Sequence, residues 1–440
     1  VDDGSTDSTA EIVAGYPVRL ISTPNRGLSS ARNTGCEAAT GDVVAYIDDE
    51  AWPDPDWLSF IAAAFADPEV GAAGGPNLPP PSSDPFAASI ALAPGTATHV
   101  LLTDNLAEHV PGCNMAVRRD VLLAIGGFDP MFRIAGDDVD LCWRLHDAGW
   151  KIAFAPTAQV WHLRRASLAM FWRQQVNDGR AEALLERKWP GRFNDAGHPS
   201  WAGQIYDGGR VWLGPWRARV YHGVWGGAPF QRLYESRLAA WPSLLALPEW
   251  HLVVLAFAAA ALLGRAWAPL SIATPLLALS LALVLASALL GARDALHRRP
   301  LPLVVQGLPR LRIVVMVAVL HWLQPIARLR GRLRGGLSPW RHRVAAKLAW
   351  PRLRQWAVWT ASSKTPEDHL TALHRSLSAG GSVPMQGDAY DRWDLGVRVG
   401  PTGVARLLMA IEDHGSGYQY VRVRWWPRPR PLAIAGALAL

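Results

Sequence analysis

Twenty-four consecutive residues, Ala268 to Gly291, carry no charge. A helix needs roughly 20 apolar residues to cross a bilayer's hydrocarbon, so this run predicts a chain in contact with a membrane. The preceding apolar run, His251 to Gly264, is shorter, and extending it back through Leu244 to Trp250 brings in Glu249. With Arg265 between them, the two runs read as a transmembrane helical hairpin over 246–292, turning near Gly264 to Ala268. The competing reading is one span plus a buried helix. A third apolar run, Ile313 to Ala327, holds His321 and Gln324 and predicts an interfacial helix rather than a crossing.

Composition agrees with membrane contact. Half of the 440 residues are hydrophobic, only 18% are charged, and there are 22 tryptophans, a residue that favours membrane–water interfaces. Charge is unevenly placed: Arg293 to Arg354 holds 14 basic residues against one acid, while the rest carries 30 basic against 36 acidic. This basic segment, 293–349, follows the apolar runs directly, which predicts a cytoplasmic, anionic-lipid-facing belt. A hairpin would return the chain to its starting side and leave the preceding domain cytoplasmic too, in a multi-pass protein of the inner (plasma) membrane. Nucleic acid is the other partner a basic belt suggests. The neighbouring apolar runs and tryptophans favour lipid, and no nucleic-acid partner is expected. Cys36, Cys113 and Cys142 form no metal spacing and no even framework, which points to reduced thiols. Both ends read as cut: the chain opens on Val1, and 428–440 reads as the start of a further transmembrane helix.

Ahead of the apolar runs, residues 1–190 alternate strand-like and helix-like patterns, which predicts an α/β domain with a mostly parallel sheet. Val18 to Ile21, Val43 to Ile47, Ile152 to Phe154 and Ala158 to His162 read as strands; Ser29 to Thr40, Trp57 to Phe65, Val121 to Ile125, Asp138 to Ala148 and Ser167 to Lys188 read as helices. Pro76 to Pro85 reads as a loop. Residues 191–245 form a Trp- and Gly-rich extension with no readable pattern. After Trp350, residues 350–427 read as strand, helix, two strands, helix (Val404 to His414) and strand, the ferredoxin-like order.

Acidic clusters in the first domain sit where strands end and helices begin, the edge at which open α/β sheets bind ligands. Val1-Asp2-Asp3-Gly4-Ser5 places two carboxylates before a capped turn, able to accept from a nucleobase edge. In Asn25-Arg26-Gly27-Leu28-Ser29-Ser30-Ala31-Arg32, Arg32 lies one turn into a helix, placed to reach a base or phosphate. Tyr46-Ile47-Asp48-Asp49-Glu50 ends an apolar run in three acids. Asp48 and Glu50, two apart on the strand, point to the same side and can share one divalent ion. Oxygen donors at that density suit Mg2+ or Mn2+, the ion a diphosphate leaving group needs. Asp137, Asp138 and Asp140 crowd the first turn of a helix, where the helix dipole favours negative charge; Asp140 is placed to pair with Arg144 at i+4.

Together "VDDGSTD", "NRGLSSARNTG", "YIDDE", "GCNMAVRR" (Gly112 to Arg119) and "GGFDPMFRIAGDDVDLCWRL" (Gly126 to Leu145) resemble the family-2 glycosyltransferases of the GT-A fold, over roughly residues 1–190. The resemblance implies an inverting transferase that moves a sugar from a nucleotide-sugar donor to a hydroxyl acceptor. Asp2 and Asp3 would hold the base, with Arg32, Asp48, Asp49 and Asn114 completing the donor site. Asp48, Glu50 and His162 of "VWHLRR" would hold the metal. Glu50 stands where the family usually has Asp. Asp138 would be the catalytic base and Asp137 its partner toward the acceptor. "WRQQVNDGRAEAL" is loosely similar to a Gln-x-x-Arg-Trp element of membrane synthases, but Gln175 and Arg180 are the wrong distance apart for it. A lipid-linked or cell-envelope acceptor is the expectation. The alternative is an inactive, membrane-associated protein that binds nucleotide sugars on a transferase fold.

Overall fold

The computed structural model describes residues 1–80, 84–95, 99–163, 167–193, 198–199, 201, 204–205, 219–221, 232–234, 249–298, 310–337, 354–361, 364–379, 384–387, 392–399, 403–414 and 417–429. The chain folds into two compact units, Val1–Leu184 with Ile205–Gly336, and Leu185–Gln204 with Leu337–Leu440. Most of the 191–245 extension and all of 430–440 lie outside the described residues.

The first unit opens with α1 (Thr9–Ala14), α2 (Leu28–Ala38), β1 (Val43–Ile47), β2 (Ala51–Pro53), α3 (Trp57–Ala64), β3 (Val70–Gly74) and β4 (Asn77–Leu78). It continues through α4 (Pro85–Leu92), β5 (Val100–Leu101), β6 (Leu106–His109), β7 (Asn114–Arg118) and α5 (Arg119–Ala124). Next come α6 (Asp137–Asp147), β8 (Lys151–Phe154), β9 (Val160–His162) and α7 (Leu168–Lys188). Six strands of the main sheet run in the order β1-β7-β3-β8-β6-β5, and a small sheet runs β2-β9-β4.

The sheet is mixed, which corrects the mostly parallel expectation. β3 and β8 are parallel, but β7 enters between β1 and β3 antiparallel to both. β6 pairs antiparallel with β5 and β8. Apolar runs give strand positions, not directions, so sequence could not show this. Val18 to Ile21 is not a strand; nearby, Asp2 and Ser22 form a single parallel bridge. Asn77 and Leu78, read as loop, pair with β9. One core cluster joins Leu141, Cys142 and Leu145 of α6 to Met115, Val117 and Ile152 of the sheet.

Three apolar helices follow: α8 (Trp250–Leu263), α9 (Ala273–Arg298) and α10 (Arg310–Arg334). They revise the expected hairpin. α8 has 14 residues, about 21 Å at 1.5 Å per residue, short of the ~30 Å hydrocarbon. Among the described residues, the two helices long and apolar enough to cross a membrane, by length and composition, are Ala268–Arg293 and Leu311–Arg334. The segment read as interfacial is thus part of a crossing-length helix. Ala288, Ala292 and Leu296 of α9 and Ile313 and Val317 of α10 pack on Ala88, Ala91 and Leu92 of α4.

α10 also meets α7 closely. A side chain at Gly179 would strike the Arg328 carbonyl, and one at Gly331 the Val176 carbonyl, so only glycine permits this approach. Around that contact Arg328 Nη1 donates to Glu182 Oε1 at 2.7 Å, and Arg332 Nη1 to Glu249 Oε1 at 3.4 Å. Arg332 Nε also donates to Glu182, which leaves two arginines of the basic belt committed inside the protein.

In the second unit β10 (Arg354–Thr360), α11 (Pro366–Ala379), β11 (Pro384–Gln386), β12 (Leu395–Val399), β13 (Gly403–Asp413) and β14 (Gln419–Pro429) form an antiparallel sheet with one helix. The order is β10-β14-β13-β12-β11. This corrects the ferredoxin-like order, because the expected second helix is β13. Its apolar run satisfies both periods, and pairing with β14 from Gly403↔Pro429 to Asp413↔Gln419 decides the outcome. Leu407 and Met409 then face the same cluster as Leu370, Leu373 and Leu377 of α11.

Candidate active site

The stretch before α2 is held from both sides. Asp3 accepts the Arg26 amide at 2.9 Å and the Gly27 amide at 2.7 Å. Asn33, further along α2, exchanges two hydrogen bonds with the Phe128 backbone, at 2.8 and 2.7 Å. α2 is thereby fixed against the Gly126–Arg133 segment that leads into α6. Gly27 has φ 95° and abuts Arg133 at the helix start, where a side chain would be both strained and crowded.

Arg32 projects inward from this fixed helix. Its Nη1 donates to Asp137 Oδ2 at 2.6 Å, and its Nη2 to the Gly112 carbonyl at 3.1 Å and Asp48 Oδ1 at 3.5 Å. The guanidinium lies 5.4 Å from the Phe128 ring centroid and 5.9 Å from that of Tyr46, within cation–π range. One buried arginine thus joins three motifs far apart in the chain. Gly112 is glycine because a side chain there would strike the Arg32 guanidinium.

α6 begins at Gly136, whose φ of 90° turns the chain so that Asp137 opens the first turn. The two acids then differ. Asp137 is 2% exposed and Asp138 is 22% exposed. Burial pushes Asp137 up to about 6 against the pull of Arg32. Burial also raises Asp138, but His109, the Gly112 amide and Arg32 outweigh it and hold the carboxyl well below its usual range. The Gly112 amide donates to Asp138 Oδ2 at 3.0 Å, and His109 Nε2 stands 3.6 Å from the same oxygen. Asp138 is therefore the ionised, reachable acid and Asp137 the internal one. Asp140 pairs with Arg144 at 2.8 Å, as its spacing predicts.

Strand register assembles the third cluster. β1 pairs with β7 up to Ile47↔Asn114, which sets Asp48 opposite Cys113. β2 pairs with β9 from Ala51↔His162, which brings Glu50 beside His162. β1 ends at Ile47 and residues 49–50 turn, so Asp48 and Glu50 meet through a turn rather than a shared strand face. His162 Nε2 lies 3.4 Å from Asp48 Oδ2 and 3.8 Å from Glu50 Oε1. His162 Nδ1 lies 2.8 Å from the Leu163 carbonyl. A carbonyl only accepts, so Nδ1 carries the proton, and a neutral ring turns its Nε2 lone pair toward two carboxylates. A cation between them resolves that repulsion, and the donor set fits one. Asp48, Cys113 and His162 each offer a ligand atom, all within 4.8 Å of one another. Sequence spacing missed Cys113, since only the β1–β7 pairing makes it Asp48's neighbour.

Asn114 corrects an expectation. It is fully buried, accepting from Trp57 Nε1 at 2.9 Å and donating to the Ala158 carbonyl at 2.9 Å and the Pro76 carbonyl at 3.3 Å. Its amide ties the strand ends together and is not offered to a ligand. Asp3 is likewise occupied by backbone amides, whereas the Asp2 carboxylate, held low by the Ser5 hydroxyl and amide, lies at the N-terminal edge. Asp49 is exposed in the turn. Gln175 is buried, donating to the Gly95 carbonyl at 3.1 Å and accepting from Arg328 Nε at 3.1 Å.

The chain is similar to known glycosyltransferases. The pre-mycofactocin glycosyltransferase of Mycobacterium tuberculosis is 31% identical over 202 residues, 43% of this chain and 42% of that protein. The glucosyl-dolichyl phosphate glucuronosyltransferase of Haloferax volcanii is 31% identical over 154 residues, 31% of this chain and 48% of that protein. The chain thus spans less than half the length of these relatives. A mannosyltransferase from Pyrobaculum calidifontis, solved with GDP-Man and Mn2+, covers 42% of this chain and 53% of its own, at 24% identity and a TM-score of 0.33. Residues 1–126 match the family model for glycosyl transferase family 2, and this part of the chain is a domain of that family.

Proposed function

We propose that the protein is an inverting glycosyltransferase that takes a sugar from a nucleotide-sugar donor and places it on a hydroxyl acceptor. The observation that carries this reading is Arg32, which binds the Asp48 and Asp137 motifs together while Asp138, unlike its neighbour Asp137, keeps partial exposure. Asp2 lies at the edge suited to the nucleotide base, and Asp48, Glu50 and His162 would hold a divalent cation against the diphosphate. Such a cation, when bound, offsets the charge that builds on the leaving group. Asp138 takes the proton from the acceptor hydroxyl as its oxygen forms a bond to the anomeric carbon. The bond from that carbon to the diphosphate breaks on the opposite face, so configuration inverts. The Gly112 amide and His109 hold Asp138 ionised and oriented for this role. Asp137 keeps Arg32 in place rather than touching the acceptor, a change from the acceptor-facing role its motif implied.

Membrane anchoring belongs to the same proposal. Much of the apolar surface of α9 faces outward, with Leu279 57% and Leu285 60% exposed. A buried core helix would not leave such surface open, whereas a lipid-facing one would. An anchored transferase at the cytoplasmic face of the inner membrane suits a lipid-linked acceptor, and the Haloferax volcanii relative is named for one.

The test is turnover of a panel of nucleotide sugars by the protein with Mn2+ or Mg2+, alongside Asp138→Asn. Loss of a positioned base should lower turnover by about 10²- to 10⁴-fold with donor binding kept. Undiminished turnover in Asp138→Asn removes the base assignment. Donor binding without turnover by the wild-type protein favours the inactive-binder alternative.

A further inference from the structure

We propose that Cys113 supplies a sulfur ligand to the cation held by Asp48 and His162, so that the site takes a borderline ion such as Co2+ or Zn2+ in preference to Mg2+. The inference deepens the transferase reading and rests on its metal site. Cys113 is buried, unbridged, and sits in the turn closed by the Asn114 amide on the Pro111 carbonyl, 3.1 Å away. The β1–β7 register sets that turn against Asp48, so backbone pairing fixes the sulfur's approach. Arg32 draws on Asp48 Oδ1 at 3.5 Å, leaving Oδ2 as the oxygen that faces His162. The three donor atoms lie within 4.8 Å of one another. Ligands on one ion at bond lengths of about 2.0–2.3 Å stand roughly 3–4.5 Å apart, so a slight closure completes the shell. The Leu163 carbonyl fixes the tautomer that presents Nε2, the outer-shell contact typical of a ligating histidine.

Donor chemistry then decides the ion. Mg2+ demands near-octahedral oxygen ligation and gives up water reluctantly, whereas imidazole and thiolate favour later, softer divalent ions. One carboxylate oxygen beside one nitrogen and one sulfur makes a poor Mg2+ site.

The experiment adds Co2+ to the metal-stripped full chain without any sugar donor. A near-ultraviolet thiolate-to-cobalt charge-transfer band is expected. It should vanish in Cys113→Ser, with Co2+ binding about tenfold weaker or more, and persist in Cys142→Ser. Mg2+ in about 100-fold excess should leave it in place. Co2+ bound by dialysis without the band, a band unchanged in Cys113→Ser, or a band erased by that Mg2+ excess each overturns the proposal. If Cys113→Ser loses its native circular dichroism, X-ray absorption of the cobalt-loaded wild type decides, where a sulfur shell near 2.3 Å supports the proposal and a shell of nitrogen and oxygen alone overturns it. A band without sugar turnover removes the transferase reading and leaves this one; turnover without a band does the reverse.

Discussion

Replacing Arg32 with methionine keeps an apolar stem against Tyr46 and Phe128 and removes the charge. Asp137, 2% exposed and 2.6 Å from Arg32 Nη1, would then be a buried anion without its cation. Breaking such a pair costs about 3–5 kcal/mol. At 1.36 kcal/mol per pK unit, that equals a further rise of about 2–4 units in the Asp137 pKa. The sign follows from the folded value of about 6 against an ordinary 3.8. An acid whose folded pKa is raised binds its proton more tightly when folded, so stability falls as pH climbs from 3.8 to 6 and then levels off. In Arg32→Met the fall continues past pH 6, because the folded pKa is higher still. Below about pH 5 both proteins hold Asp137 protonated, and the deficit should shrink to what the lost Gly112 and Asp48 contacts cost. Near pH 9 the variant should melt about 6–20 °C lower, at 2–4 °C per kcal/mol for a domain of this size. Tryptophan-detected melting across pH 5–9 reads this directly. A deficit equal at pH 5 and pH 9, or none at pH 9, would refute the claim that Arg32 neutralises a buried acid.

Other substitutions probe the surroundings. Glu182→Ala leaves Arg328 and Arg332 without their shared carboxylate and should destabilise by about 3–5 kcal/mol, seen as a lower melting temperature with α7 and α10 more open to hydrogen exchange. Asn114→Leu keeps the volume but orphans Trp57 Nε1 and the Ala158 carbonyl, while the Pro76 carbonyl keeps the Val160 amide. It should cost about 1–3 kcal/mol for each group left unsatisfied, and if donor affinity measured on the folded fraction falls instead, Asn114 is a ligand after all.

What the sequence revealed follows physical range. α6 was legible to within a residue because its Gly136 start, first-turn acids and apolar stripe are local signals. The Asp140–Arg144 pair was legible for the same reason, since helical spacing alone sets it. The place of Arg32 one turn into α2 was legible but its partners were not: Asp48, Gly112 and Asp137 come from three other segments. Cys113 was invisible because a strand pairing, not a spacing, makes it Asp48's neighbour. β13 was misread as helix because leucine, methionine and alanine favour a helix locally, and only the long ladder with β14 overrides them. Asn114 was misread because a polar residue in a functional motif looks the same whether it binds ligand or braces strand ends.

The glycine contact between α7 and α10 bears on where the chemistry takes place. Gly179 and Gly331 bring the two backbones together, and Arg328 and Arg332 clamp the crossing. Asp178 lies in this seam, 3.5 Å from Arg328 and near enough to Asp138 to feel its charge. If α10 crosses a bilayer, this clamp acts as a depth gauge: it sets the height of Asp138 above the lipid by the helix itself rather than by a flexible tether. An acceptor hydroxyl on a lipid headgroup would then meet the base at one fixed distance from the membrane plane, and acceptors of different length would be sorted by reach.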